Sequence, residues 1–201
     1  MFGGKLRQSQ VDGLNLLLKE TSGLPVEFRA YLMATAFHET EQTMQPVRET
    51  LASTDQKAVN ILNRDFDAGK LSSVSRPYWD FDQEGKTWLG RGYVQLTHKT
   101  NYIRASKLTG IDLVADPSKA MNPATAATIL VKGSIDGLFT GKSLNDYLPG
   151  DYVGARRVIN GRDRAQKIAR YAETFEKALK ETPPKKPRKK RSVFRWLLRS
   201  A

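Results

Sequence analysis

An apolar helical run ends in His38-Glu39, and another carboxylate, Glu49, follows ten residues later. Stepping back from Glu39 by threes and fours meets Ala36, Leu32 and Phe28, which form one apolar face of a helix. A glutamate at the end of that face is expected to be partly buried, whereas Glu41 and Gln45 are expected on the solvent side. Partial burial disfavours the ionised form, and a general acid must hold its proton near neutral pH. A second carboxylate across a cleft then serves as base toward water, the two-carboxylate logic of inverting glycosidases. The residue types leave that partner open among Glu49, Asp55, Asp65, Asp67 and Glu84.

Other chemistries fit less well. A zinc-peptidase helix needs a second histidine four residues after the first, and Gln42 stands there. "GLFTGKS" (Gly137 to Ser143) has one residue too few between its glycines for a phosphate loop and follows a helix instead of a strand. "GRGYVQ" has Gln95 where a dinucleotide fingerprint has its third glycine. With no cysteine and only His38 and His98, neither a disulfide framework nor a thiolate or histidine-rich metal site is expected.

The elements that must position these groups are mainly helices. Val11 to Lys19, Val26 to Thr43, Lys57 to Ala68, Asn101 to Thr109, Asn122-Pro123 through Lys132, and Arg164 to Lys180 read as helices from apolar spacing and end signals. Tyr93 to Thr97 alternates: Val94 and Leu96 share one face, and Tyr93, Gln95 and Thr97 the other. That pattern predicts a short half-buried strand whose polar face lines a cleft. Asp80 to Gly92 reads as a polar loop. The class expected is α+β, predominantly helical.

The chain divides into a domain over 1–182 and a basic amphipathic tail over 183–201. The net charge is +12, and eight lysines and arginines with no acid fall between Lys185 and Ala201. Within the tail Val193, Trp196 and Leu197 share one helical face and Arg195 and Arg199 another, so the tail is expected to bind an anionic membrane or lipopolysaccharide. Nucleic acid is its rival partner. The N-terminal "MFGGKLRQSQ" lacks the apolar core of a signal peptide, and no apolar run approaches membrane-spanning length, so a cytoplasmic protein is expected.

Three motifs in order resemble glycoside hydrolase family 19, the family of chitinases and chitinase-like phage and prophage endolysins. They are "HET" at the end of the apolar helix, "GRGYVQLTHKTNY", and "VINGRDRAQKIARYAETFEKAL", and the resemblance spans roughly Phe28 to Leu179. It implies a lysozyme-like fold with a cleft beside a small β-hairpin, no cofactor, and hydrolysis of β-1,4 bonds next to N-acetylated sugars. It also implies Glu39 as general acid and Glu49 as the second carboxylate. Gln95, Thr97 and Asn101 then bind sugar or hold the catalytic water, and Asn160 binds substrate. Arg164 is expected near the carboxylates, with His38, Arg91 and Tyr93 at the cleft.

The sequence departs from the plant-type pattern in three places. Glu41-Gln42 stand where glycines are usual, Tyr93 replaces a proline, and Glu49 follows Glu39 sooner. The function expected is that of a monomeric endolysin-like muramidase cleaving peptidoglycan strands with inversion, held in the cytoplasm until a membrane-permeabilising protein releases it. The alternatives are a chitinase acting on chitin oligosaccharides and an inactive basic binding module.

Overall fold

The helix that carries Glu39 is the axis of the molecule. Phe28 and every residue from Ala30 to Phe37 on α2 (Val26–Glu39) are buried. A helix apolar on all sides belongs inside a domain, so the single apolar face expected from sequence understates its burial. The computed structural model describes residues 4–72 and 74–181; the tail expected over 183–201 lies outside them. Around α2 lie α1 (Gln8–Glu20), α5 (Pro123–Ile135) and α7 (Ala165–Glu181), the last making the most extensive contact with it. Phe37 meets the α7 rings of Tyr171 edge-on at 4.9 Å and Phe175 at 6.0 Å. Phe37 is 1% exposed, and burial of a side chain this large contributes roughly 2 kcal/mol. A short α6 (Tyr152–Ala155) and a 3-10 turn at Arg156–Val158 lead into α7.

Local signals account for several helix ends. Thr54 caps α3 (Asp55–Asp67) by accepting from the Lys57 N–H at 3.2 Å. Asn122 caps α5 through the Ala124 and Thr125 N–H groups, with Pro123 in the first turn. Gly110, left-handed at φ 71°, closes α4 (Lys99–Thr109).

The expected helix to Thr43 stops earlier, at Glu39. Thr40 turns its hydroxyl back to the Ala36 carbonyl at 2.7 Å. The Gln42 N–H then donates to Phe37 O at 2.8 Å and the Glu41 N–H to His38 O at 3.2 Å, the paired bonds of a Schellman ending. Glu41 (φ 45°) and Gln42 (φ 67°) thus occupy the left-handed conformations that the glycines of the plant-type pattern would favour. Glu41→Gly is expected to stabilise the fold by about 1 kcal/mol by relieving this strain. An unchanged or lower urea midpoint would refute that account.

The sheet also differs from expectation. Tyr93 to Thr97 is not a strand: Gly92 (φ 90°) and Gln95 (φ 52°) bend it into a tight turn closed by one bridge, Arg91 to Leu96. The two-stranded antiparallel sheet instead pairs β1 (Val47–Arg48) with β2 (Arg91–Gly92), segments distant in sequence. The alternation misleads because Tyr93, expected on the polar face, is buried along with Val94 and Leu96, while Gln95 and Thr97 stay half-buried.

A second, smaller apolar cluster stands apart from the main core. It comprises Ala58, Val59 and Leu62 of α3 with Trp79 and Leu89. The segment expected as a polar loop, Asp80 to Gly92, therefore contributes the fully buried Leu89, and Trp79 stands just before it. Among the described residues no helix is long and apolar enough to cross a membrane.

Candidate active site

Glu39 is the last residue of α2, and its side chain is 17% exposed. It opens on a cavity of about 540 Å³ lined also by His38, Glu41, Gln42, Arg164, Lys167 and Tyr171. Its surroundings are not simply apolar. The Arg156 guanidinium, itself 2% exposed, donates to Glu39 Oε1 at 2.5 Å. Arg156 is fixed in turn by donating from Nε to the Asp163 carbonyl at 2.9 Å. Burial, with Arg156, Lys167 and Arg164 adding to it, pushes the His38 imidazole below its ordinary value despite Glu39 beside it.

Glu49 is held by different groups. Its Oε1 accepts from the Tyr78 hydroxyl at 2.5 Å, and its Oε2 accepts from the Gly90 N–H at 2.6 Å. Burial and then the Glu49 charge push the Tyr78 hydroxyl well above its ordinary value, so Tyr78 remains a donor. Tyr78 packs against the smaller apolar cluster and tilts against the His98 ring at 4.7 Å. The Glu49 N–H also donates to Gly90 O at 2.7 Å. A Cβ at residue 90 would lie 2.7 Å from Gln95 Oε1 and 3.2 Å from Glu49 Oε2, so Gly90 permits these two side chains to converge. Gln95 completes this corner by donating to Val47 O at 3.1 Å.

The other acids left open as partners are committed elsewhere. Asp55 accepts from Arg48 Nε at 2.5 Å with one oxygen and from Arg91 at 2.6 Å with the other. Asp65 pairs with Lys70, Glu84 with Lys86, and Asp67 is exposed. Glu49 is the carboxylate that stands beside Gln95.

Two residues expected at the cleft are interior instead. Arg91 is 1% exposed, and besides Asp55 its guanidinium donates to the Tyr102 hydroxyl at 2.8 Å and to the Thr87 and Leu89 carbonyls. It is a strut tying the sheet to α3 and α4. Tyr93 is fully buried, with its hydroxyl donating to Met44 O at 3.2 Å. Thr97 and Asn101 are half-buried and Asn160 is exposed; among the described residues none of these three side chains makes a hydrogen bond to the protein. Arg164 faces the Glu39 cavity, but the arginine bonded to Glu39 is Arg156.

Sequence reasoning missed Arg156 and Tyr78. Arg156 lies between Ala155 and Arg157 in a short helical stretch with no spacing signal. Tyr78 belongs to the aromatic pair Tyr78-Trp79, whose density was the one available cue.

Backbone strain marks the same places. The described non-glycine residues with positive φ are Glu41, Gln42, Met44, Thr50, Leu51, Gln95, His98 and Arg164. Each is a candidate residue or lies within a few positions of one. Such conformations cost free energy and tend to persist at functional sites. Thr50, β-branched at φ 61° beside Glu49, is the most strained by residue type.

No protein-family model matches the sequence, and no curated protein matches it. The structure is similar to the crystal structure of chitinase C from Streptomyces griseus HUT6037, with a TM-score of 0.59 and 20% sequence identity. The match covers 92% of this chain and 76% of that one. The expected fold class, predominantly helical and lysozyme-like with a small sheet, is therefore the one adopted.

Proposed function

We propose that the chain is a glycoside hydrolase that cleaves β-1,4 bonds of peptidoglycan glycan strands with inversion. The observation that carries this reading is the pair of acids anchored on different parts of the fold. Glu39 ends the helix at the centre of the main core, and Glu49 is held by Tyr78 against the smaller one. The likeness in fold to a chitinase and the three family 19 motifs support it.

Glu39 gives its proton to the glycosidic oxygen as the bond to the anomeric carbon breaks. A water attacks that carbon from the opposite face and passes its proton to Glu49, and exchange with solvent restores both acids. Arg156 stabilises the Glu39 carboxylate left after the transfer. Gln95, Thr97 and Asn101 hold water or sugar on the Glu49 side, and His38, Asn160 and Arg164 contact the sugar chain. Arg91 and Tyr93 support the turn from inside.

Tyr78 orients the base, and loss of a hydrogen bond to a charged group is worth 1.5–3 kcal/mol in general, or roughly tenfold or more. Tyr78→Phe is accordingly expected to lower kcat about tenfold with little change in melting temperature. A wild-type kcat in this variant would mean that Glu49 needs no such support.

In its fuller form the proposal is an endolysin that reaches the wall through a separate membrane-permeabilising protein. Its basic tail binds the anionic envelope surface. Purified peptidoglycan and chitin hexamer, incubated in parallel and examined by mass spectrometry, test the activity. New reducing ends from peptidoglycan are expected; cleavage of chitin alone would make the chain a chitinase. Cleavage of neither would refute the glycosidase reading.

A further inference from the structure

Beside the Glu39 cavity lies a second one of about 760 Å³ along α6 and the start of α7. Arg157, Arg162, Arg164, Lys167 and Arg170 line it, with Asp151 as the one acid among the lining residues. Asp151 is occupied in accepting from the Gly154 N–H at 2.6 Å. Arg164 has Asp163 at 3.9 Å; among the described residues the other four cations have no carboxylate within 4.0 Å. Arg164 and Lys167 also line the Glu39 cavity, whose other charged lining residues include the acids Glu39, Glu41 and Asp163, so this basic shelf adjoins the candidate active site.

Five like charges around one concave surface repel one another and raise the local concentration of anions. A neutral N-acetylated sugar chain offers such a surface no counter-charge. Guanidinium groups bind carboxylates through paired hydrogen bonds, and four of the five cations are arginines. Resting on the glycosidase reading above, we propose that this shelf binds carboxylates of the peptides carried by the glycan. The preferred substrate is then an anionic, peptide-substituted strand instead of neutral chitin.

The test compares kcat/KM on three preparations of peptidoglycan strands. One keeps its peptide carboxylates, one has them converted to neutral methylamides, and one keeps them but has been stripped of phosphate polymers. The wild-type full chain is expected to prefer native over amidated strands roughly tenfold, as two or three exposed charge contacts would give. Stripping phosphate should leave that preference intact. Arg162→Gln combined with Arg170→Gln changes two shelf residues that do not line the Glu39 cavity. Both are exposed, and the native-to-amidated ratio should fall close to one. Arg170→Glu alone should shift the ratio in the same direction.

Equal wild-type rates on native and amidated strands would overturn the shelf while leaving the hydrolase standing. A preference that disappears when phosphate is stripped would assign the surface to a phosphate polymer and overturn the carboxylate proposal. Cleavage of no strand would sink the glycosidase reading. Co-sedimentation of the full chain, with and without Arg162→Gln and Arg170→Gln, on native and amidated strands separates the shelf from the basic tail: a preference for native strands that the double variant loses upholds the shelf, and one that the variant keeps overturns it.

Discussion

Glu39→Gln should lower hydrolysis by at least about a hundredfold, the minimum expected when a positioned proton donor is removed. The amide keeps the shape of the side chain and can still accept a hydrogen bond from Arg156 through its oxygen, but it has no acidic proton to deliver. It also removes the charge facing a guanidinium that is 2% exposed, so the melting temperature must be measured beside the rate. A large loss of activity in a protein that still unfolds cooperatively supports the assignment. Activity within tenfold of wild type would remove Glu39 from the chemistry.

Glu49→Gln is expected to cause a loss approaching that of Glu39→Gln, because an amide cannot take the proton of the attacking water. The amide oxygen can still accept from Tyr78 or from the Gly90 N–H, so the local fold should survive. NMR of the first product should show an inverted anomer. A mild effect would exclude Glu49 as the base. Asp55 would be a poor replacement, since both its oxygens are bound to arginines. Retention of configuration would reject the water-activating role for Glu49 whatever the size of its effect.

Helix existence was legible in the sequence because periodicity and end signals are local. The expected helix over Asn101 to Thr109 differs from α4 (Lys99–Thr109) by two residues at one end. Asn122, Pro123 and Gly110 mark their helix boundaries by side-chain capping, fixed φ and tolerance of the left-handed region. The α2 end was misjudged because a Schellman turn was built with Glu41, a residue that gives no such signal. The strand at Tyr93 to Thr97 failed for a related reason. Alternation predicts a two-faced segment only if one face meets water, and here Tyr93 of that face is fully buried.

Among the site residues, the sequence singled out Glu39 by its place at the end of an apolar run, and it set Glu49 among five possible partners. It could not choose, because all five are acids in polar stretches, and what separates them is which donors the fold brings near. Tertiary structure decided that Asp55 joins two arginines, that Glu49 meets Tyr78 and Gly90, and that Glu39 meets Arg156 across 117 positions of sequence. It also turned Arg91 and Tyr93 inward and gathered the scattered cations of residues 157–170 into one concave surface. Local propensity and periodicity act over a few residues and are written in the chain. Partnership between charges depends on long-range packing, and only the folded molecule fixes it.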